Sequence, residues 1–285
     1  MRFFIMVNLD KNHAEACSKA VISRLITLGG KVSMAEEDSK FMKDFSAVNL
    51  GKIEDLIPEC DIVISIGGDG TLIHAAKYAV LYDKPVLGIN TGRLGFLTRL
   101  EQTELDCLSR LFNGDFVVEN RMMLELFCTI SGKEERYTAL NDIVISRGSL
   151  SRIIDLTIDC DQKPVSRYRA DGLVFSTPTG STAYSLSAGG PVVEPSVECI
   201  VMSPICPHSL YARTVVFAAN RIVTVKTSFE RSNKAYVTID GVEGFPVQPG
   251  DQILIRKSEQ YAKLISFDQS FFEILSEKFI DHNNT

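Results

Sequence analysis

The stretch Asp61-Ile-Val-Ile-Ser-Ile-Gly67-Gly68-Asp69-Gly70-Thr71-Leu-Ile-His74-Ala-Ala-Lys-Tyr-Ala-Val-Leu-Tyr82 decides the fold. Residues 61–66 form a short apolar run of the kind that a strand buried on both faces shows, and residues 72–82 read as a helix. The glycines between them make a strand-to-helix turn, the basic unit of a parallel sheet with crossover helices. Similar strand candidates occur at Phe3 to Val7, Lys31 to Met34 and Pro85 to Ile89. Between the first two, Cys17, Val21, Leu25 and Leu28 fall on one helical face, and Gly29-Gly30 stops that helix. Thr103 with Asp106 has capping-box spacing, and Leu105, Leu108 and Leu111 continue a helical stripe.

Beyond Phe116 the pattern changes. Short Val/Ile/Thr/Phe-rich runs such as Leu173 to Ser176, Ile222 to Thr227, Tyr236 to Ile239 and Ile253 to Arg256 are separated by Gly, Pro, Asn and Asp, as in a β-rich domain. Near the C-terminus Ser270 and Glu273 form another capping pair, and Phe271, Leu275 and Phe279 recur at four-residue spacing. Such an amphipathic helix needs a support, and the first domain is the expected one. The expected fold is an N-terminal α/β domain with a parallel, Rossmann-like sheet (residues 1–100, with the helix of 268–285 returning to it) and a β-rich domain (101–267).

Composition narrows the function classes. The 285 residues carry 30 Lys+Arg against 36 Asp+Glu, a net charge of −6 that argues against general nucleic-acid or anionic-membrane binding. A 45% hydrophobic content argues against a disordered chain. Seven cysteines without a C-x-x-C pair read as reduced thiols of a cytoplasmic protein. No run approaches the roughly 20 apolar residues that a membrane helix needs.

Three glycine-rich segments carry chemistry. In Gly67-Gly68-Asp69-Gly70-Thr71, unobstructed backbone N–H groups and the helix N-terminus suit a phosphate. A carboxylate there would repel phosphate unless it takes a proton or helps to hold a cation, so Asp69 suggests a reacting hydroxyl or Mg²⁺ nearby. An isolated Asp-Gly would be read as a helix-capping turn, but this loop position favours the chemical role. It is neither a Walker A loop nor a dinucleotide G-x-G-x-x-G. The second segment, Gly88 to Phe96, follows a strand, and its Arg93 reads equally as a phosphate partner or a solvated arginine.

The third runs from Tyr168-Arg169-Ala170-Asp171-Gly172 through Thr177-Pro-Thr179-Gly-Ser-Thr182-Ala183-Tyr184-Ser185-Leu186-Ser187 to Pro191. Its hydroxyls suit a sugar or amide, with the tyrosine lining a base; an ordinary polar loop with a short helix is the plainer alternative. Asn141-Asp142 could grip a diol or simply make a turn before Ile143 to Ile145. His74 and His208 lack metal-ligand spacing, and packing or surface roles suit them better.

Together these segments resemble the bacterial NAD kinases over nearly the whole chain. The GGDGT loop alone also occurs in diacylglycerol and sphingosine lipid kinases and in 6-phosphofructokinases. The combination with G-I-N-T-G-R-L-G-F-L (88–97), L-N-D (140–142), R-A-D-G (169–172) and T-P-T-G-S-T-A-Y-S-L-S-A-G-G-P (177–191) looks like NAD kinase and like neither of those relatives. The resemblance implies transfer of the γ-phosphoryl of ATP to the 2′-hydroxyl of the adenosine ribose of NAD, giving NADP. It also implies a divalent metal, expected to be Mg²⁺, a homo-oligomer (dimer or tetramer), and nucleotides held in the cleft between the two domains.

By that resemblance Asp69 is the general base, Gly67, Gly68, Gly70 and Thr71 belong to the phosphate loop, and Asp69-Gly70 lies against the dinucleotide. Asn141 and Asp142 match a ribose-holding pair. Arg152, Arg169, Asp171, Thr179 and Thr182, Ala183, Tyr184, Ser185, Leu186 and Ser187 match other NAD-contacting positions, Asp171 reaching a neighbouring subunit's nicotinamide end. Two departures stand out: Asp142 stands where Glu is common, and Val242 stands where many members have Gln. Mg²⁺ in kinases is held largely by phosphates and waters, so the sequence places no metal ligands. A lipid or sugar kinase of the same loop family, or a non-catalytic NAD(P)-binding regulator, are the alternatives.

Overall fold

The computed structural model describes residues 1–11, 13–41, 46–92, 95–130, 133–148, 152–229, 234–268 and 270–280. Two compact units emerge: Met1–Asn120 with Ala262–Thr285, and Arg121–Tyr261.

The first unit opens with β1 (Arg2–Val7), α1 (Ala14–Thr27), β2 (Lys31–Ala35), β3 (Val48–Gly51), the short α2 (Ile53–Leu56), β4 (Ile62–Gly67), α3 (Asp69–Leu81) and β5 (Val86–Asn90). The strands lie in the order β3-β2-β1-β4-β5, all parallel, with Phe3 opposite Ile62 and Ile64 opposite Leu87. Phe3, Phe4 and Ile5 are all fully buried, because helices and loops cover both faces of such a sheet. Helix α1 buries Cys17, Val21 and Leu25 and ends where expected: Gly29, at φ +85°, lets Gly29 N–H and Gly30 N–H turn back to Ile26 O and Leu25 O. Strand β3 has the polar pattern Val-Asn-Leu-Gly of an edge and carries little sequence signal.

The short β6 (Leu100–Glu101) and α4 (Leu108–Asn113) follow, and Leu108 and Leu111 join this unit's core. The expected Thr103–Asp106 capping box is not made. Glu104 instead accepts from Glu101 N–H at 3.0 Å, and Asp106 is drawn away to Arg24 at 2.9 Å. Because α4 packs here, the first unit extends twenty residues beyond the expected division at residue 100.

The chain then runs through β7 (Val117–Ile130), β8 (Lys133–Ala139), β9 (Asp142–Arg147), β10 (Ile154–Cys160), β11 (Lys163–Ala170), β12 (Gly172–Ser176), α5 (Tyr184–Ser187), β13 (Cys199–Ile205), β14 (Val215–Ala218), β15 (Val223–Ser228), β16 (Ala235–Ile239), β17 (Glu243–Val247) and β18 (Gln252–Ser266). In the second unit one antiparallel sheet has the order β14-β13-β12-β9-β16-β17, and β11, β10, β15 and the start of β18 form another antiparallel run. Alternate residues of the two sets, such as Ile143, Phe175 and Val237 from one and Leu156, Val225 and Ile253 from the other, share one apolar core.

Strand β18 leaves the second unit and ends in the first, where Leu264 pairs in parallel with Val86. Helix α6 (Phe271–Ile280) follows. Its capping box forms as expected, Ser270 N–H reaching Glu273 Oε2 at 2.7 Å and Glu273 N–H reaching Ser270 Oγ at 3.2 Å. The buried stripe centres on Ile274 rather than on Phe279, which is half exposed and meets Phe96 with ring centroids 6.5 Å apart.

Candidate functional site

The loop Gly67–Thr71 sits at the carboxyl end of β4 beside β1, where the strand order reverses and open α/β sheets place ligands. The N-terminus of α3 takes no side-chain cap, and Thr71 N–H turns back to Gly68 O at 2.9 Å. Asp69, the first helical residue, is fixed from a second loop. Its Oδ2 accepts Phe96 N–H at 2.8 Å, and its Oδ1 accepts Leu97 N–H and Thr98 N–H at 3.1 Å each and Thr98 Oγ1 at 3.3 Å. Only glycine allows this approach at position 95, where a Cβ would overlap the Asp69 carboxylate. Oδ2 thus carries one amide donor and Oδ1 three donors. Arg93, the expected phosphate partner, lies outside the described residues. His74 is exposed on α3 and stands edge-on to Tyr78 at 5.3 Å between ring centroids.

In the second unit Asn141 and Asp142 stand at the start of β9. Asp240, from the loop after β16, holds them: its carboxylate accepts Leu140 N–H at 2.9 Å, Asn141 N–H at 2.7 Å and Asp142 N–H at 3.1 Å. Thr177 braces the other side, donating its hydroxyl to Leu140 O at 2.6 Å and its N–H to Asn141 O at 2.9 Å. Gly180 passes so close to Asn141 O that a Cβ would overlap it. Asn141 Oδ1 is buried and accepts no hydrogen bond, while Asp142 is only 5% exposed. Burial, reinforced by the Asp240 charge, pushes the Asp142 carboxyl up to about 7; the Tyr184 backbone N–H acts the other way.

That amide belongs to the third segment, which the structure brings against the pair. Thr179 and Thr182 lie in a 3₁₀ turn, Thr182 Oγ1 reaching Thr179 O at 3.4 Å, and α5 begins directly after Ala183. Ser185 is buried and anchored, its Oγ 3.1 Å from Ser203 Oγ, which in turn takes Thr214 Oγ1 at 3.1 Å. Tyr184 and Ser187 are exposed, and Leu186 is half-buried.

Arg169 and Asp171 lie elsewhere in this unit. Asp142 is opposite Ser176 at one end of β12, and Asp171 precedes Gly172 at the other, roughly 15 Å along the strand. Arg147 grips Asp171 in bidentate fashion, at 2.5 Å from Nε and 3.3 Å from Nη2. Arg169 is exposed on β11 opposite Asp155, its carbonyl accepting His208 N–H at 2.8 Å, and Arg152 is exposed just before β10. The supporting contacts of Asp240 and Arg147 were not read from the sequence, and nothing in the Asp240-Gly241 dipeptide points to residue 140.

Comparison with known proteins decides the family. Models of the ATP-NAD kinase N-terminal and C-terminal domains match residues 3–116 and 140–267. The chain belongs to the ATP-NAD kinase family. An NAD kinase of Acetivibrio thermocellus is 37% identical, covering 100% of this chain and 99% of its own, and one from Geotalea daltonii is 42% identical over 83% and 84%. The solved NAD kinase of Archaeoglobus fulgidus in complex with ATP is 27% identical with a TM-score of 0.75, over 97% of this chain and 98% of its own. A yeast NADH kinase solved with NADH has a TM-score of 0.89 over 100% and 89%; at 24% identity it shows the common fold. This chain is thus an enzyme of the ATP-dependent NAD kinase class.

Proposed function

We propose that the reaction runs through Asp69 as general base: it takes the proton of the adenosine-ribose 2′-hydroxyl of NAD as that oxygen attacks the γ-phosphorus of ATP, giving NADP and ADP. The amides of Phe96, Leu97 and Thr98 support this role by orienting the carboxylate, so that little reorganisation is needed at the moment of transfer. The Gly67, Gly68, Gly70 and Thr71 backbone around the uncapped α3 N-terminus is the proposed phosphate loop.

The observation that carries the choice of NAD is the buried, unanswered acceptor of Asn141 beside the buried Asp142 carboxyl. A ribose diol supplies two hydroxyls to such a pair, and a buried acceptor without a donor is otherwise costly. Arg152, Arg169, Thr179 and Thr182 to Ser187 would line the rest of the dinucleotide, and Asp171 would reach that of a neighbouring subunit in a cytoplasmic homo-oligomer. No helix of the described residues is long and apolar enough to cross a membrane.

Mg²⁺ belongs to this reading as the counter-ion that ATP brings with it. Among the described residues no group of three His, Cys, Asp or Glu side chains could hold a metal, and Asp240 spends both carboxylate oxygens on amides. Purified chain mixed with NAD, ATP and Mg²⁺ should form NADP and ADP in equal amounts, and Asp142→Ala should weaken NAD about ten- to a hundredfold while sparing ATP. Phosphorylation of diacylglycerol or a sugar without NADP formation would overturn the reading.

A further inference from the structure

We propose that Asp240 is the positioning residue of the ribose-binding pair: from the loop after β16 its carboxylate gathers the amides of Leu140, Asn141 and Asp142 and so fixes where the two side chains point. The proposal rests on the ribose reading above.

The contact is not a by-product of a local turn. Asp240 lies 98 to 100 residues from its three donors in sequence, and it reaches them because β16 runs beside β9, with Ile239 opposite Ile143. The link is two-way, since Asp240 N–H donates to Asp142 O at 2.9 Å and extends the ladder by one rung. Asp240 holds φ at 49°, a left-handed conformation that a side chain takes at some cost and that glycine takes freely. The next residue, Gly241, is also left-handed at 72°, so the hairpin turn by itself would be served at least as well by glycine at 240. What glycine lacks is a pair of acceptor oxygens for three amides.

The same carboxylate is the charge that acts on Asp142. Around the Asp142 carboxyl, β12 brings Ser176, whose hydroxyl is turned to Thr177 O at 2.7 Å, α5 brings the Tyr184 amide, and the end of β16 brings Asp240. Asp240 therefore sets the pair's position through backbone amides and biases its charge through space. A residue that only closed a hairpin would do neither.

The test uses the full chain with Asp240→Asn, Asp240→Gly, Asp142→Ala and the Asp142→Ala/Asp240→Asn double variant. Asn and Gly both accept the left-handed conformation, so neither variant strains the turn. Calorimetric titration with NAD and with ATP, and KM and kcat for NAD across pH, are the readouts. Both Asp240 variants should weaken NAD about tenfold with ATP affinity within about twofold, most of the loss falling in KM. NAD affinity should rise with pH as Asp142 ionises, and Asp240→Asn should move that midpoint to lower pH. In the Asp142→Ala background, Asp240→Asn should add a smaller loss than it causes in the wild type, the remainder acting through Asn141.

Wild-type NAD affinity and pH midpoint in the Asp240 variants would overturn the proposal. So would an undiminished tenfold loss in the Asp142→Ala background. Wild-type NAD affinity in Asp142→Ala alone would instead overturn the ribose reading, and the proposal with it.

Discussion

Gly95 lies so close to Asp69 that the smallest side chain at 95 would occupy the space of the Asp69 carboxylate. That closeness is what lets three successive amides after Gly95 reach one side chain. Gly95→Ala should push the loop away, lowering turnover at least about tenfold and stability by about 1–3 kcal/mol. Steady-state kinetics with thermal unfolding measures both. Wild-type turnover in the alanine variant would mean that the loop's grip on Asp69 has no part in catalysis.

Asp69→Asn separates base from brace. The amide oxygen can keep the bonds to Leu97 and Thr98, while its NH₂ would face Phe96 N–H and lose that bond. A modest drop in melting temperature should accompany a loss of about 10²- to 10⁴-fold in kcat, with NAD affinity within threefold of wild type. Turnover within about threefold of wild type would remove Asp69 from the proton transfer.

The Asp142 carboxyl makes a signed prediction about pH. Burial and the Asp240 charge hold it at about 7 in the folded chain against an ordinary 3.8. Below 3.8 both folded and unfolded chains are protonated there. Between those values only the folded chain keeps the proton, so this site's contribution to stability declines as pH rises, and above about 7 the whole penalty stands. Asp142→Asn, which mimics the neutral form, should be more stable than wild type at about pH 8 and lose that advantage towards about pH 4, while binding NAD more weakly. Urea unfolding at the two pH values decides it; an equal stability difference at both would show that Asp142 does not titrate in this window.

Arg147 holds Asp171 at the far end of β12 from Asp142; in the proposed homo-oligomer Asp171 would serve another copy of the chain. Specific activity should then fall on dilution. Arg147→Lys, which cannot grip both carboxylate oxygens, should raise KM for NAD several-fold without changing KM for ATP. Light scattering beside the dilution assay gives the answer, and a fully active monomer would contradict the shared site.

What could be read from the sequence follows the physics of periodic burial. The strands at Phe3, Lys31, Ile62 and Val86 and helices α1 and α3 were legible because apolar runs and 3.6-residue spacing report burial directly. The GGDGT loop was legible because its place between such a strand and such a helix needs no long-range information. The edge strand Val48–Gly51 was not, being half polar. The Thr103–Asp106 box misled because Arg24, some eighty residues away, competes for Asp106. Asp240 was beyond sequence reading for the same reason: a carboxylate that serves backbone amides a hundred residues distant leaves no periodic trace.

Strand β18 has a consequence for the order in which the molecule can be completed during synthesis. Ile265 and Phe267 pack in the same core as Phe3, Ile5 and Val21, so the unit that is translated first lacks part of its interior until the last residues emerge. The second unit, Arg121–Tyr261, is one uninterrupted segment and has all its core residues earlier. Sequential folding along the ribosome would ordinarily favour the leading domain. Here a chain that lacks the residues from Ala262 onward leaves open the apolar lining around β5, the strand beside the one that carries the GGDGT loop.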